Sequence, residues 1–118
     1  MATFSKHVLS GSSYGRNILV NTTSHSTLTV HATGTGGHTD EIWLYATNIS
    51  GSDIKLTTEF GTGGATNHHS ELTIGAEAGW GLVIPGFILD SGGGSCSVFA
   101  FADTANQVSL QGYVNRIT

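Results

Sequence analysis

A chain of 118 residues has room for one domain with one core, and none for a second domain of ordinary size. Only 10% of its residues are charged while 38% are hydrophobic, with a net charge of −4, which excludes the low-hydrophobicity, high-charge composition of disorder. The four basic residues Lys6, Arg16, Lys55 and Arg116 are scattered, so no patch can displace counterions from nucleic acid, and no stretch nears the ~18 apolar residues of a membrane helix.

In chain order, Met1 to Ser13 reads as an N-terminal arm ending at Gly11-Ser12-Ser13, and Tyr14 to Thr118 as a single β domain. Such an arm is free to pair with another subunit. Asn17 to Val20 is a strand, and Ser26 to Ala32 sets Leu28 and Val30 against Thr27, Thr29 and His31. Glu41 to Asn48 places Ile42, Leu44 and Ala46 on one side and Trp43, Tyr45 and Thr47 on the other. Ile54 to Phe60 has the cleanest period of two, with Ile54, Leu56, Thr58 and Phe60 opposite Lys55, Thr57 and Glu59.

The second half continues the pattern. Glu71 to Ile74 is a short strand, and Gly81 to Ile84 and Phe87 to Leu89 flank Pro85, which demands an edge strand or a bend. Cys96 to Ala102 and Val108 to Ile117 read as a final hairpin joined by Asp103 to Gln107, with Gly112 marking a bulge or a close backbone approach. Ala76 to Ala78 are bracketed by Gly75 and Gly79, leaving too little chain for a helix. The expected fold is all-β, an antiparallel sandwich or jelly-roll-like closure of about eight strands. Gly34 to Gly37 and Gly61 to Gly64 echo one another without establishing a repeat.

Motifs for chemistry are weak. Gly11-Ser12-Ser13-Tyr14-Gly15 matches a hydrolase elbow but lacks the helix and the α/β sheet that strain the serine, so it reads as a turn. In Asn67-His68-His69-Ser70-Glu71, adjacent histidines point to opposite faces; His69 and Glu71 share one, yet nothing in the spacing supplies further ligands. Cys96 reads as a buried structural thiol, and it has no partner for an intramolecular disulfide. Asn21-Thr22-Thr23 and Asn48-Ile49-Ser50 fit a glycosylation pattern by chance in a Ser- and Thr-rich chain. The carboxylates Asp40, Glu41, Asp53, Glu59, Glu71, Glu77, Asp90 and Asp103 mostly fall at strand ends or in turns, as solubilising groups do. No catalytic residue, cofactor or metal is expected, and the chain does not read as an enzyme.

Binding is the better expectation. With 13 Ser, 16 Thr and 17 Gly, hydroxyls and backbone supply most of the polar surface, and these are cheaper to bury in a contact than Lys or Glu. Trp43 and Tyr45 share one strand face, either as core or as anchors of an interface. Stacked on a sugar, these rings or Trp80 would make a carbohydrate-binding module, the alternative function.

Three segments together carry a resemblance: Asp40 to Gly61, Leu82 to Leu89 and Val98 to Ile117, supported by Thr3 to His7 and by the closing Gly112 to Ile117. They resemble small virion structural proteins of tailed bacteriophages. The resemblance implies a particle component, capsid decoration (cement) being the favoured type and a tail- or neck-associated module the other. The implied partners are the major capsid protein and further copies of the chain, a homotrimer being favoured, with no nucleic acid or membrane. The implied location is the capsid surface of the virion, after synthesis in the host cytoplasm; no apolar run within Met1 to Ser13 has the length of a secretory leader. The expected contact residues are Phe4, His7, Val8 and Leu9 of the arm, then Trp43 and Tyr45.

Overall fold

The segment Thr39–Asn48 alternates half-buried and buried residues without a break over ten positions. That regularity is what a strand in the middle of a sheet shows when one face lies against a core. In the computed structural model, which describes residues 2–61 and 68–118, it is the fourth of nine strands: β1 (Phe4–Val8), β2 (Ile18–Leu19), β3 (Leu28–Ala32), β4 (Thr39–Asn48), β5 (Ile54–Gly61), β6 (His69–Ile74), β7 (Gly81–Asp90), β8 (Ser97–Ala102) and β9 (Val108–Ile117). No α-helix occurs among the described residues. Thr62 to Gly64 of the glycine echo, Asn67 of the histidine-rich run and the residues between them lie outside the described ones, as does Met1.

The strands form two antiparallel sheets packed as a sandwich. The first runs β1-β9-β4-β7, with β2 also on β9, and the second runs β3-β8-β5-β6. Ile42, Leu44 and Ala46 of the first sheet face Leu56, Val98 and Ala100 of the second in one core, joined by Val20, Val30, Val108, Leu110 and Val114.

Two expectations about connectivity are corrected. Strands β8 and β9 are not a hairpin: β8 pairs with β3 and β5, and β9 with β1, β2 and β4, so the turn between them crosses from one sheet to the other. The reason lies in their burial. Each already has two lateral neighbours and a core face of its own, which a β8–β9 pairing would have displaced. Likewise the N-terminal segment is no detached arm, because Phe4 to Val8 pair with Tyr113 to Ile117 of the same chain. The chain then crosses over: Leu9 enters the core at 1% exposure and the Gly11 amide donates to the Val30 carbonyl at 2.9 Å. It returns at β2 to the same side of β9.

Pro85 sits on an edge strand that also bends. Strand β7 is one ten-residue element, and its register to β4 shifts on either side of the Trp43–Leu44 pair of residues. Gly112 marks a close approach without a bulge. It lies opposite Leu44 in an unbroken ladder, where an added Cβ would stand 2.0 Å from the Trp43 carbonyl oxygen. Gly112→Ala is therefore expected to cost about 1–3 kcal/mol of unfolding free energy in urea denaturation. Gly93→Ala, in open space, should stay within about 0.5 kcal/mol.

Candidate interaction surface

Strand alternation turns Glu41, Trp43 and Tyr45 of β4 outward from the first sheet. The ladder sets Tyr113 beside Trp43, Val8 beside Tyr113, and Asn115 and Lys6 in the next row. The Trp43 and Tyr113 rings lie 6.5 Å apart and 17° from parallel, and the Lys6 ammonium sits 4.7 Å over the Tyr113 ring. On the other side the Trp43 ring lies over Gly86, where an added Cβ would meet it at 2.8 Å. The Trp43 indole N–H donates to Glu41 Oε1 at 2.6 Å, and the Asn115 amide donates to the same oxygen at 3.0 Å. These two bonds hold the Glu41 carboxyl below the usual carboxylate range. The aromatic pair is thus fixed in place by packing and by a carboxylate.

Around that pair the outer face is apolar. Phe4 is 70% exposed and Val8 49%, while Leu82 and Ile88 of β7 lie at 47% and 57%. The structure therefore brings Phe4, Val8, Trp43 and Tyr45 to one face and adds Tyr113, Leu82 and Ile88, which the sequence reading did not single out. Two of the expected contact residues are not on it. His7 points to the opposite side of β1, being paired with inward-facing Val114, and is hydrogen-bonded to Ser5 Oγ at 2.9 Å. Leu9 is core, so it is withdrawn as a contact residue: it follows the end of β1, where the chain turns in between the sheets. Trp80, the other ring considered for stacking, is half exposed, outside the described strands. Nearby, an apolar hollow of about 230 Å³ between β6 and β7 is lined by Leu72, Ile74, Ala78 and Leu82.

Behind the aromatic face lies a buried polar network. Asp40 has no exposed surface and accepts two bonds from Arg116, Nε to Oδ1 at 2.8 Å and Nη2 to Oδ2 at 2.9 Å. His31 Nε2 lies 2.8 Å from Asp40 Oδ2, while the Ser10 amide donates to His31 Nδ1 at 3.0 Å. With Nδ1 accepting, the ring is neutral and Nε2 carries the proton it donates to Asp40. His38 Nε2 donates to the Thr33 carbonyl at 2.9 Å beside them. Burial pushes the Asp40 carboxyl up, but the bonds from Arg116 and His31 outweigh it and hold the group below the usual range. Burial also lowers His31, against the opposing pull of Asp40, and Arg116 is raised mainly by its bonds to Asp40.

A second buried carboxylate lies on the outer side of the other sheet. Glu59 of β5 is fully buried, and strand pairing puts it opposite His69. Its Oε2 stands 3.3 Å from His69 Nε2 and 3.7 Å from His25 Nδ1. The Ser26 amide donates to Oε1 at 2.7 Å. Sequence spacing grouped His69 with Glu71; the structure puts Glu71 against Lys55 at 3.2 Å and gives His69 a carboxylate from the neighbouring strand instead. Asp40 and Glu59 are thus not solubilising groups.

The remaining motifs resolve simply. Gly11 to Gly15 is a loop with Tyr14 and Gly15 at positive φ and no helix after it. Asn48 is buried, its amide donating to the carbonyls of Ser52 and Ile74, which ties down the turn after β4. Cys96 is a half-buried free thiol packed against the core. Comparisons with protein-family models, with curated proteins and with solved structures find no match.

The network sets the response to acid. His31 has a folded pKa below its ordinary value of about 6.5, so below that pH the unfolded chain takes up a proton that the folded one resists, and stability falls. A second loss begins below about 3.9, where an unfolded Asp protonates before the depressed Asp40 does. Urea midpoints measured from pH 8 to 3 should show both declines, and His31→Gln should diminish the first. Asp40→Asn, which leaves the partly exposed Arg116 without its carboxylate, should cost about 1–3 kcal/mol at pH 7.

Proposed function

We propose that this chain is a structural protein of a tailed-bacteriophage particle, one that decorates and reinforces the capsid by binding the major capsid protein. The observation that carries the reading is the fixed aromatic pair Trp43–Tyr113 within the apolar outer face of the first sheet. Aromatic side chains that lose little freedom on contact are the usual energetic centre of an interface, and a surrounding ring of less committed contacts excludes water. Here Phe4, Val8, Leu82 and Ile88 form that ring. The charged groups Lys6 and Glu41 are already engaged with Tyr113, Trp43 and Asn115, so less charge has to be stripped of water on docking.

The resemblance of Asp40 to Gly61, Leu82 to Leu89 and Val98 to Ile117 to phage structural proteins supports the choice of partner. Two of these segments supply four of the aromatic and aliphatic residues of the face, Trp43, Tyr45, Leu82 and Ile88, and the third contributes Tyr113. The mechanism is mechanical. Area buried at many equivalent sites resists outward pressure on the shell, and assembly as a trimer makes modest contacts effective through multivalency.

Purified protein mixed with undecorated heads should co-sediment with them, and light scattering should give the mass of a trimer. Trp43→Ala should weaken head binding about thirtyfold or more, equivalent to about 2 kcal/mol, without unfolding the chain. No association with heads would discard the reading. Tryptophan fluorescence shifted by a sugar, with heads unbound, would put a carbohydrate-binding module in its place.

A further inference from the structure

We infer that His25, Glu59 and His69 form a binding site for a divalent transition-metal ion, zinc above all, on the outer side of the second sheet. Each of the three residues offers one ligand atom, and these atoms all lie within 4.8 Å of one another. Tetrahedral zinc with bonds of about 2.0–2.1 Å places its ligand atoms about 3.3 Å apart. The His69–Glu59 separation of 3.3 Å meets that figure, and the His25–Glu59 separation of 3.7 Å comes close. His25 is the exposed member, in the loop between β2 and β3, and so the least confined of the three ligands.

The surroundings are those of a built site. Glu59 is fully buried, and buried carboxylates are paired or coordinate metals. The Ser26 backbone amide, at positive φ, donates to Glu59 Oε1 at 2.7 Å and so directs Oε2 toward the histidines. Such support of a ligating carboxylate by a second hydrogen bond is what fixes first ligands in metal sites. The two imidazoles lie 5.0 Å apart and are 28° from parallel. Phe101 packs on both, 4.5 Å from His25 and 5.9 Å from His69, giving the site an apolar wall. Two imidazoles and one carboxylate favour zinc, nickel or cobalt over calcium or magnesium, which prefer oxygen alone. Three protein ligands leave a fourth position for water or for a group from another molecule.

The consequence for the fold is a clamp. The ion ties the β2–β3 loop, through His25, to β5 and β6, adding to the Ser26 hydrogen bond and the ring contacts made there. Binding to the folded chain alone raises its melting temperature by mass action.

Isothermal titration of chelator-stripped protein with Zn2+ should give one equivalent per chain and a raised melting temperature. His25→Ala and His69→Ala should each weaken binding at least tenfold and abolish the thermal shift, while His7→Ala, whose exposed ring lies apart from the site, should bind as the parent does. Because Glu59 is buried and its replacement risks the fold, the two histidine variants carry the test, with circular dichroism to show that they fold. Cobalt substituted into the parent should give the intense visible bands of a four-coordinate ion. Absence of zinc binding, or equal binding by the His25→Ala/His69→Ala double variant, would overturn the site and leave a hydrogen-bonded cluster.

Discussion

The rest of the molecule depends on one buried carboxylate. Asp40 begins the inward-facing row of β4, and its two oxygens are shared by Arg116 from β9 and His31 from β3. The contact therefore joins the middle of one sheet to the edge strand of the other. Through His31 it also reaches Ser10, whose amide and hydroxyl fasten the N-terminal crossover to β3. Removing a carboxylate from water is expensive, and the cost is offset only when the geometry is good and the remaining hydrogen-bonding positions are filled. Both conditions hold here: the guanidinium is bidentate, and the imidazole has a partner on each nitrogen. Such an arrangement specifies which strands meet and in which register, because a slip of one residue would turn Asp40 out and bring Thr39 or Glu41 in.

That specification is needed because the hydrophobic pattern alone underdetermines the packing. The first sheet carries apolar groups on both faces: Ile42, Leu44 and Ala46 inward, Trp43, Tyr45 and Tyr113 outward. Burial of the outward set in place of the inward set would not be forbidden by hydrophobicity. Asp40 at one end of β4 and Asn48 at the other fix the choice, since both find their partners only with the observed face turned in. The outward aromatics are then left at the surface, held by Gly86, Glu41 and Lys6. A protein poor in charge and carrying a fixed aromatic face is suited to contact with another surface, and this links the buried network to the proposed assembly role.

Much of the fold was legible in the sequence. The period of two in Glu41 to Asn48 and Ile54 to Phe60 reports real strands, Pro85 reports the bent edge of β7, and Gly112 reports the close approach of β9 to β4. What was not legible is pairing across distance. Strands β8 and β9 are adjacent in the chain and separated by a short turn, which is also how a hairpin reads; only the core shared by two sheets decides between them. Met1 to Ser13 reads as an arm because it ends at Gly11-Ser12-Ser13, yet Phe4 to Val8 need only hydrogen bonds to β9 to become a strand. The candidate surface was half visible, because Trp43 and Tyr45 share a face by alternation, whereas Tyr113 joins them only through the ladder. Glu59 and Asp40 were read as solvated because charged residues are seldom fully buried without partners. Their partners, His25, His69, His31 and Arg116, lie 9 to 76 residues away in sequence or on neighbouring strands. Continuing the inward alternation of β4 back by one step from Ile42 would have flagged Asp40; no comparable signal marks Glu59.

The most direct measurement is hydroxyl-radical footprinting of the protein free and bound to phage heads, read by mass spectrometry at single side chains. Docking through the outer face of the first sheet predicts that Phe4, Val8, Trp43 and Tyr113 lose reactivity on binding, while Tyr14 and Trp80 keep theirs. Unchanged oxidation at Trp43 and Tyr113, with protection confined to Tyr14, Trp80 or the second sheet, would contradict it.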